Sequence, residues 1–179
     1  DQISALNADL SGHVVICGYG RVGQSIGRFL RREHQAFVAL DDDPVIIQEA
    51  SVGESCVHYG DSRRGDLLAA VGLSRAKLLV IAVDKTDIAI SVLKEARRLN
   101  PQVPILVRTR DDSQLAELQA AGASEVVPEL LESSLMLASH ALIMLGLPNQ
   151  QVQQHVDQVR HDRYRLLHGF YPGNQDKEP

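Results

Sequence analysis

Three glycines, Gly18, Gly20 and Gly23, stand in GxGxxG spacing where an apolar run, His13 to Cys17, gives way to apolar residues at helical intervals, Ile26, Phe29 and Leu30. That places a glycine turn between a strand and a helix running from about Gly20 to Arg32, and few architectures accept such a junction. Gly18 permits the tight turn, Gly20 lets the backbone approach a phosphate, and Gly23 lets the helix lie close to the sheet. The open amide groups at the helix tip would carry the phosphate charge. The motif gains weight from Asp41, which closes a second strand, Ala36 to Leu40, 23 residues after Gly18.

The alternation continues down the chain. Asp43 and Pro44 read as an N-cap and a first helical proline, followed by Val45, Ile46 and Ala50. Cys56 to Tyr59 is a third strand, and Leu67 to Val71 belongs to the next helix. Leu78 to Val83 is the most continuously apolar strand, as suits one covered on both faces. A helix over Thr86 to Leu99, with Ile90, Leu93 and Ala96 inward, leads to a fifth strand, Pro104 to Val107. A helix over Gln114 to Ala121 and a sixth strand, Glu125 to Val127, complete the rhythm. Right-handed crossovers then predict an α/β fold, a doubly wound parallel six-stranded sheet of order 3-2-1-4-5-6 with a C-terminal helical extension.

The expected organisation is a polar lead-in over 1–11, a nucleotide-binding domain over 12–128, a helical extension over 129–168 and a flexible tail over 169–179. Glu129 to Leu145 is apolar on more than one face, so one face covers the sheet edge and a subunit contact accounts for the surplus. Gln150 to Leu167 reads as a more polar helix with Val152, Val156, Val159 and Leu166 on one stripe.

A length of 179 residues suits one domain with a short appendage, and 44% apolar residues suffice for a buried core. A formal charge of −5, aromatic content of 4% and the lack of tryptophan argue against a nucleic-acid partner. No apolar run approaches the roughly 18 residues needed to cross a bilayer. Cys17 and Cys56 give neither a disulfide framework nor metal spacing, and both read as small buried hydrophobes. The chain opens on Asp1 rather than Met, which points to an excised or processed end. With no secretory signal visible, a reducing, cytoplasmic setting is expected.

The candidate ligand residues gather at strand ends. Asp41 is placed to accept both hydroxyls of an adenosine ribose, which favours NAD(H), AMP, ADP or ATP over NADP(H). Its neighbours Asp42 and Asp43 make the acidic cluster less specific. Arg21 either reaches a diphosphate or lies on the surface. Asp61 either meets the adenine edge or caps the turn through Ser62. Val83 to Thr86 leaves the fourth strand on the same edge, with Thr86 a candidate cap for the next helix. Arg108 and Arg110 either hold phosphate or an anionic second ligand, or pair with Asp111 and Asp112.

Signs of chemistry are few. The four tyrosines are followed four residues later by Gly23, Arg63, His168 and Gln175, so the Tyr–Lys pair of a short-chain reductase is missing. The segment after Pro128 is too short for a dehydrogenase substrate domain. His13 and His58 read as packed or edge residues and His140 as a structural imidazole. His155, His161 and His168 lack HExxH spacing, and no metal is expected. Arg31, Arg32, Arg97 and Arg98 read as solvated helix ends. Arg160, Arg163 and Arg165 are candidates for a partner contact. The alternatives to a non-catalytic binding domain are a small NAD-dependent oxidoreductase and a structural dimer with a degenerate site.

The run His13 to Gly23, followed by Val38 to Asp41, His58 to Asp61, Ala82 to Asp84 and Val107 to Asp111, resembles the TrkA-N, or RCK, nucleotide-binding domains that regulate potassium conductance. Within that group it is most similar to the cytoplasmic regulatory domain of the glutathione-gated potassium efflux antiporters, over roughly residues 12 to 146. The resemblance implies a Rossmann homodimer attached to the transmembrane part of a monovalent cation/proton antiporter, at the cytoplasmic face of the bacterial inner membrane. It implies that the helix after the sixth strand crosses to the other subunit. On matching positions, Gly18, Tyr19, Gly20, Arg21, Val22 and Gly23 would hold the diphosphate, Asp41 and Asp42 the ribose end, and Asp61 and Ser62 the adenine end, with Val83 and Thr86 alongside. Arg108 and Arg110 match paired arginines, the first of which helps to hold the small anionic peptide effector. Past Gly146 the match is poor.

Overall fold

Helices and strands alternate through the residues described by the computed structural model, 2–51 and 56–164. In order they are α1 (Gln2–Leu6), β1 (Val14–Cys17), α2 (Arg21–Arg32), β2 (Phe37–Asp41), α3 (Pro44–Ser51), β3 (Val57–Tyr59) and α4 (Gly65–Ala70), then a 3₁₀ turn (Leu73–Arg75). There follow β4 (Leu78–Ile81), α5 (Thr86–Leu99), β5 (Ile105–Thr109), α6 (Leu115–Ala120), β6 (Glu125–Pro128), α7 (Glu129–Met144) and α8 (Asn149–Tyr164). The expected tail over 169–179, and Leu166 with the end of the last helix, lie outside the described residues.

The six strands form one parallel sheet of order β3-β2-β1-β4-β5-β6, as the alternation predicts. The chain starts in the middle, builds to one edge through β2 and β3, then returns past β1 to build the other through β4, β5 and β6. Right-handed crossovers put helices on opposite faces for the two directions. Val15, Cys17, Leu79 and Ile105 accordingly pack under α4, α5 and α6, whereas Ile16, Phe37, Ala39 and Val80 pack under α2 and α3. All four residues of β1 are buried, because β1 alone is covered along its full length on both faces and flanked by two strands. On β5 and β6 the pattern alternates instead, and Leu106, Arg108, Glu125 and Val127 stay half-buried, Leu106 packing against the cluster under α2 and α3.

The segment before β1 is more than a lead-in. Ile3 and Leu10 pack on the core, and Asn7 is buried behind the short helix α1. Arg75 straps it down, donating from Nε to the Leu10 carbonyl at 2.9 Å and from Nη2 to the Asn7 carbonyl at 3.2 Å. The Asn7 amide donates to the Ile3 carbonyl at 2.8 Å, so the same nitrogen meets His58 Nε2, 3.1 Å away, as a donor. His58 Nε2 must therefore accept, which assigns its proton to Nδ1. Burial pushes the His58 pKa down, towards that neutral form.

Two further residues differ from expectation. Arg97, expected as a solvated helix end, is half-buried and donates to the carbonyls of Val103 at 2.6 Å and Gly122 at 2.9 Å, and to Ser124 Oγ at 3.2 Å. It satisfies loop carbonyls that helix-end statistics do not anticipate, and desolvation lowers its pKa. His140, expected as a structural imidazole, is exposed on α7. α8 covers only part of α7, burying Val152 and Val156 and pairing Arg160 with Glu132 at 2.7 Å. Leu137 (73% exposed), Met144 (87%) and Leu145 (77%) remain uncovered.

Candidate nucleotide-binding site

The carboxyl ends of four neighbouring strands are laced together by their main chains. Gly18 N donates to the Leu40 carbonyl at 2.8 Å, Ala82 N to the Cys17 carbonyl at 2.8 Å, and Gly60 N to the Asp41 carbonyl at 2.9 Å. Beyond that edge lies a crevice of about 360 Å³, at the point where the strand order reverses, the expected place for a ligand in an open parallel sheet. Gly18, Gly20, Asp41, Asp42, Asp61, Ser62, Val83 and Arg108, all singled out from the sequence, line it.

The glycines divide their roles as their spacing requires. Gly18 has φ +94°, and a Cβ there would stand 2.9 Å from the Val83 main-chain nitrogen, so the turn needs glycine on both counts. A Cβ at Gly23 would overlap the Gly18 carbonyl oxygen and lie 3.1 Å from its carbon. Gly20 has φ −72°, and a Cβ added there would meet nothing within 4 Å, so the fold itself does not demand glycine at that position. Gly20 is the N-cap of α2, and no side chain caps the helix. The first-turn amides are left for an anion.

Asp41 is the pivot between strand and loop. Its Oδ2 accepts the Tyr19 amide at 2.7 Å and its Oδ1 the Asp43 amide at 2.8 Å. Each oxygen keeps a lone pair for a sugar hydroxyl, so the carboxylate can hold the glycine loop and a ribose together. Asp43 caps α3 as predicted, accepting the Val45 amide at 2.9 Å.

Asp61 fulfils its capping alternative while lining the crevice. Its Oδ1 accepts the Arg63 amide at 2.9 Å, and Arg63 Nη2 donates to Oδ2 at 2.7 Å. That side-chain bond to Arg63 holds the Asp61 carboxyl below its usual range. Ser62 turns inward and hydrogen-bonds the Cys17 thiol, which burial pushes up to about 12. At such a value, with no exposed surface, the thiol is chemically inert.

Other predicted residues stand apart from the crevice wall. The Tyr19 ring is buried beneath α2, its centroid 6.1 Å from that of Phe37, so only its backbone faces the site. Val22 packs on the core beneath α2, and Arg21 is exposed at the helix tip. Thr86 begins α5 but makes no capping bond, and Lys85 holds the N-cap position. Arg108 does not pair with Asp111 or Asp112: its Nε donates to Glu129 Oε1 at 2.8 Å and its Nη1 to the Ala82 carbonyl at 3.1 Å. Arg110 is exposed, and Asp111 instead accepts the Ser113 amide at 2.8 Å. Ile46 and Ile88 supply apolar wall that no local pattern distinguished from core. Among the described residues, no cluster of His, Cys, Asp and Glu could hold a metal ion, and no helix is long and apolar enough to cross a membrane.

Residues 14–129 match the TrkA-N domain. A putative K(+) efflux antiporter KefB of Alkalimonas amylolytica is 44% identical over 167 residues, 93% of this chain and 25% of the relative. The glutathione-regulated potassium-efflux system protein KefC of Salmonella arizonae is 31% identical over 163 residues, 91% of this chain and 26% of the relative. The chain thus spans about a quarter of the length of these two curated relatives. Among solved structures, the Shewanella denitrificans Kef CTD in AMP-bound form superposes with a TM-score of 0.76 and 33% identity, covering 87% of this chain and 95% of that one. With the glycine turn, Asp41 and the strand order all falling within the matched region, the chain belongs to the TrkA-N domain family and is homologous to the Kef-type antiporter domains.

Proposed function

We propose that this chain is a nucleotide-responsive regulatory domain of a potassium or other monovalent cation/proton antiporter, acting at the cytoplasmic face of the bacterial inner membrane. AMP or NAD(H) lies across the tip of α2, its phosphate between the first-turn amides and Arg108 and its ribose on Asp41, with the base towards Asp61 and Ser62. One observation carries this reading: the carboxylate that ends β2 and the uncapped α2 terminus open into one crevice, in a fold shared with an AMP-bound Kef domain. The role is regulatory rather than catalytic.

Residues 129–168 act as the dimerisation element. The uncovered apolar face of α7 is a surface that a second copy of the chain would cover. A ligand that binds one dimer arrangement better than another shifts the population towards it, and a few kcal/mol of differential affinity suffices. A small anionic effector is a further ligand of the dimer.

Mass spectrometry of the molecule carried through purification tests the reading, with calorimetric titration of AMP and NAD into stripped protein. Saturable binding that Gly20→Ala abolishes is expected. Failure to bind any adenine nucleotide would overturn it.

A further inference from the structure

The crevice proposed to take a phosphate-bearing ligand is itself acid-rich, lined by four carboxylates, Asp41, Asp42, Asp61 and Asp84, against two cations, Lys85 and Arg108. Lys85 is exposed, whereas Arg108 is half-buried and reaches from β5 to the end of β4. Its guanidinium is already engaged. Besides the Ala82 carbonyl, it is held by Glu129 at 2.8 Å, with Asp84 a more distant partner at 3.6 Å. Glu129 does not line the crevice: it is the first residue of α7, the helix whose apolar face is left uncovered. The more sheltered of the two cations is therefore bound to the first residue of α7.

The geometry points to Glu129 as an internal counter-ion of Arg108 that competes with an anionic ligand group, so that filling the crevice loosens the first turn of α7. The inference rests on the nucleotide reading and adds to it a residue, a selectivity and a path. A phosphate and a carboxylate compete for one guanidinium, and the phosphate brings the larger negative charge and more acceptor oxygens. A rim already negative disfavours each additional ligand charge, so the site prefers AMP or a dinucleotide over ATP. Once displaced, Glu129 still lies at the N-terminus of α7, where a negative charge is favourable, so the helix persists, held to the end of β5 by the Leu130 amide on the Arg110 carbonyl at 2.8 Å, while its side-chain tether is lost.

Calorimetric titration of AMP and ATP into the wild-type chain and Glu129→Gln, with hydrogen exchange of residues 129–144 recorded with and without AMP, tests this. Glutamine keeps the acceptor and removes the charge. AMP should bind about two- to fivefold tighter, the range expected for relief of a partly exposed ion pair, and ATP should gain by a larger factor. AMP should speed exchange in the first turn of α7 in the wild type and not in the variant. Asp84→Asn should change affinity less, since Asp84 is farther away and exposed. Glu129→Asp, which keeps the helix-end charge but shortens its reach, should also relax the AMP preference and guards against a folding defect. An unchanged ATP-to-AMP ratio in Glu129→Gln, an equal effect of Asp84→Asn, or α7 exchange indifferent to AMP would each overturn the inference while leaving nucleotide binding intact. A wild type that binds neither nucleotide would overturn the nucleotide reading and this inference with it.

Discussion

Gly20→Ala and Gly23→Ala add the same methyl group three residues apart, yet the structure assigns them different consequences. At Gly23 the new Cβ overlaps the Gly18 carbonyl oxygen, a main-chain atom pinned by the bond from Gly18 N to Leu40. Relief requires α2 to lift off the loop by on the order of 1 Å, and overpacking of this kind costs about 1–3 kcal/mol. Alanine's better helix propensity returns at most about 1 kcal/mol of that. At Gly20 the methyl meets nothing, φ is ordinary, and the loss of a favourable N-cap residue is roughly offset by the lower entropy of the unfolded chain. For a chain of this size 1 kcal/mol moves Tm by about 2–4 °C. Without ligand, Gly23→Ala should therefore melt several degrees early and Gly20→Ala within about 2 °C of the wild type. With AMP at about 100 times Kd the wild type gains about 2.7 kcal/mol, and Gly20→Ala should lose most of that increment because its methyl occupies the phosphate approach. Thermal melts with and without AMP, beside calorimetric titration, read both effects. If Gly20→Ala destabilised the unliganded chain as much as Gly23→Ala, or kept its full gain with AMP, the division of roles would be refuted.

Asp41→Asn removes a sugar acceptor and also turns an amide nitrogen against a main-chain N–H, so affinity should fall at least about tenfold and stability by about 1–2 kcal/mol, read by the same two assays. If α7 forms the proposed dimer contact, Leu137→Glu should convert that dimer to monomer in light scattering with little change in the monomer's circular dichroism, because that side chain is 73% exposed in one chain. His58 has its pKa lowered on folding, so the native state binds the proton less readily than the unfolded one. Stability from this group is complete above the ordinary histidine value of about 6.5 and declines as pH falls below it. Relative to the intrinsic amide rate, the hydrogen-exchange protection of residues 2–10 should weaken as pH falls through about 6.5, and His58→Gln, which removes the titrating group, should remove that dependence.

The order of the sheet and the position of the crevice were legible in the linear chain because both rest on local signals. Apolar runs bounded by turn residues mark strands, and Gly18, Gly20, Gly23 and Asp41 mark where two of them must end together. Asp43 at the start of α3 was legible for the same reason, since a cap needs only its own next two residues. What tertiary structure decided are contacts between residues distant in sequence. The burial of Asn7 against His58, the carbonyls gathered by Arg97 and the choice of Glu129 over Asp111 as partner of Arg108 depend on which elements fold back upon one another. Periodicity also shows that α7 is apolar on several faces without saying which of them α8 covers. A side chain's period records that it must be buried or paired; only the assembled chain selects the partner, because electrostatic and packing energies act over a few ångströms of space rather than along the sequence.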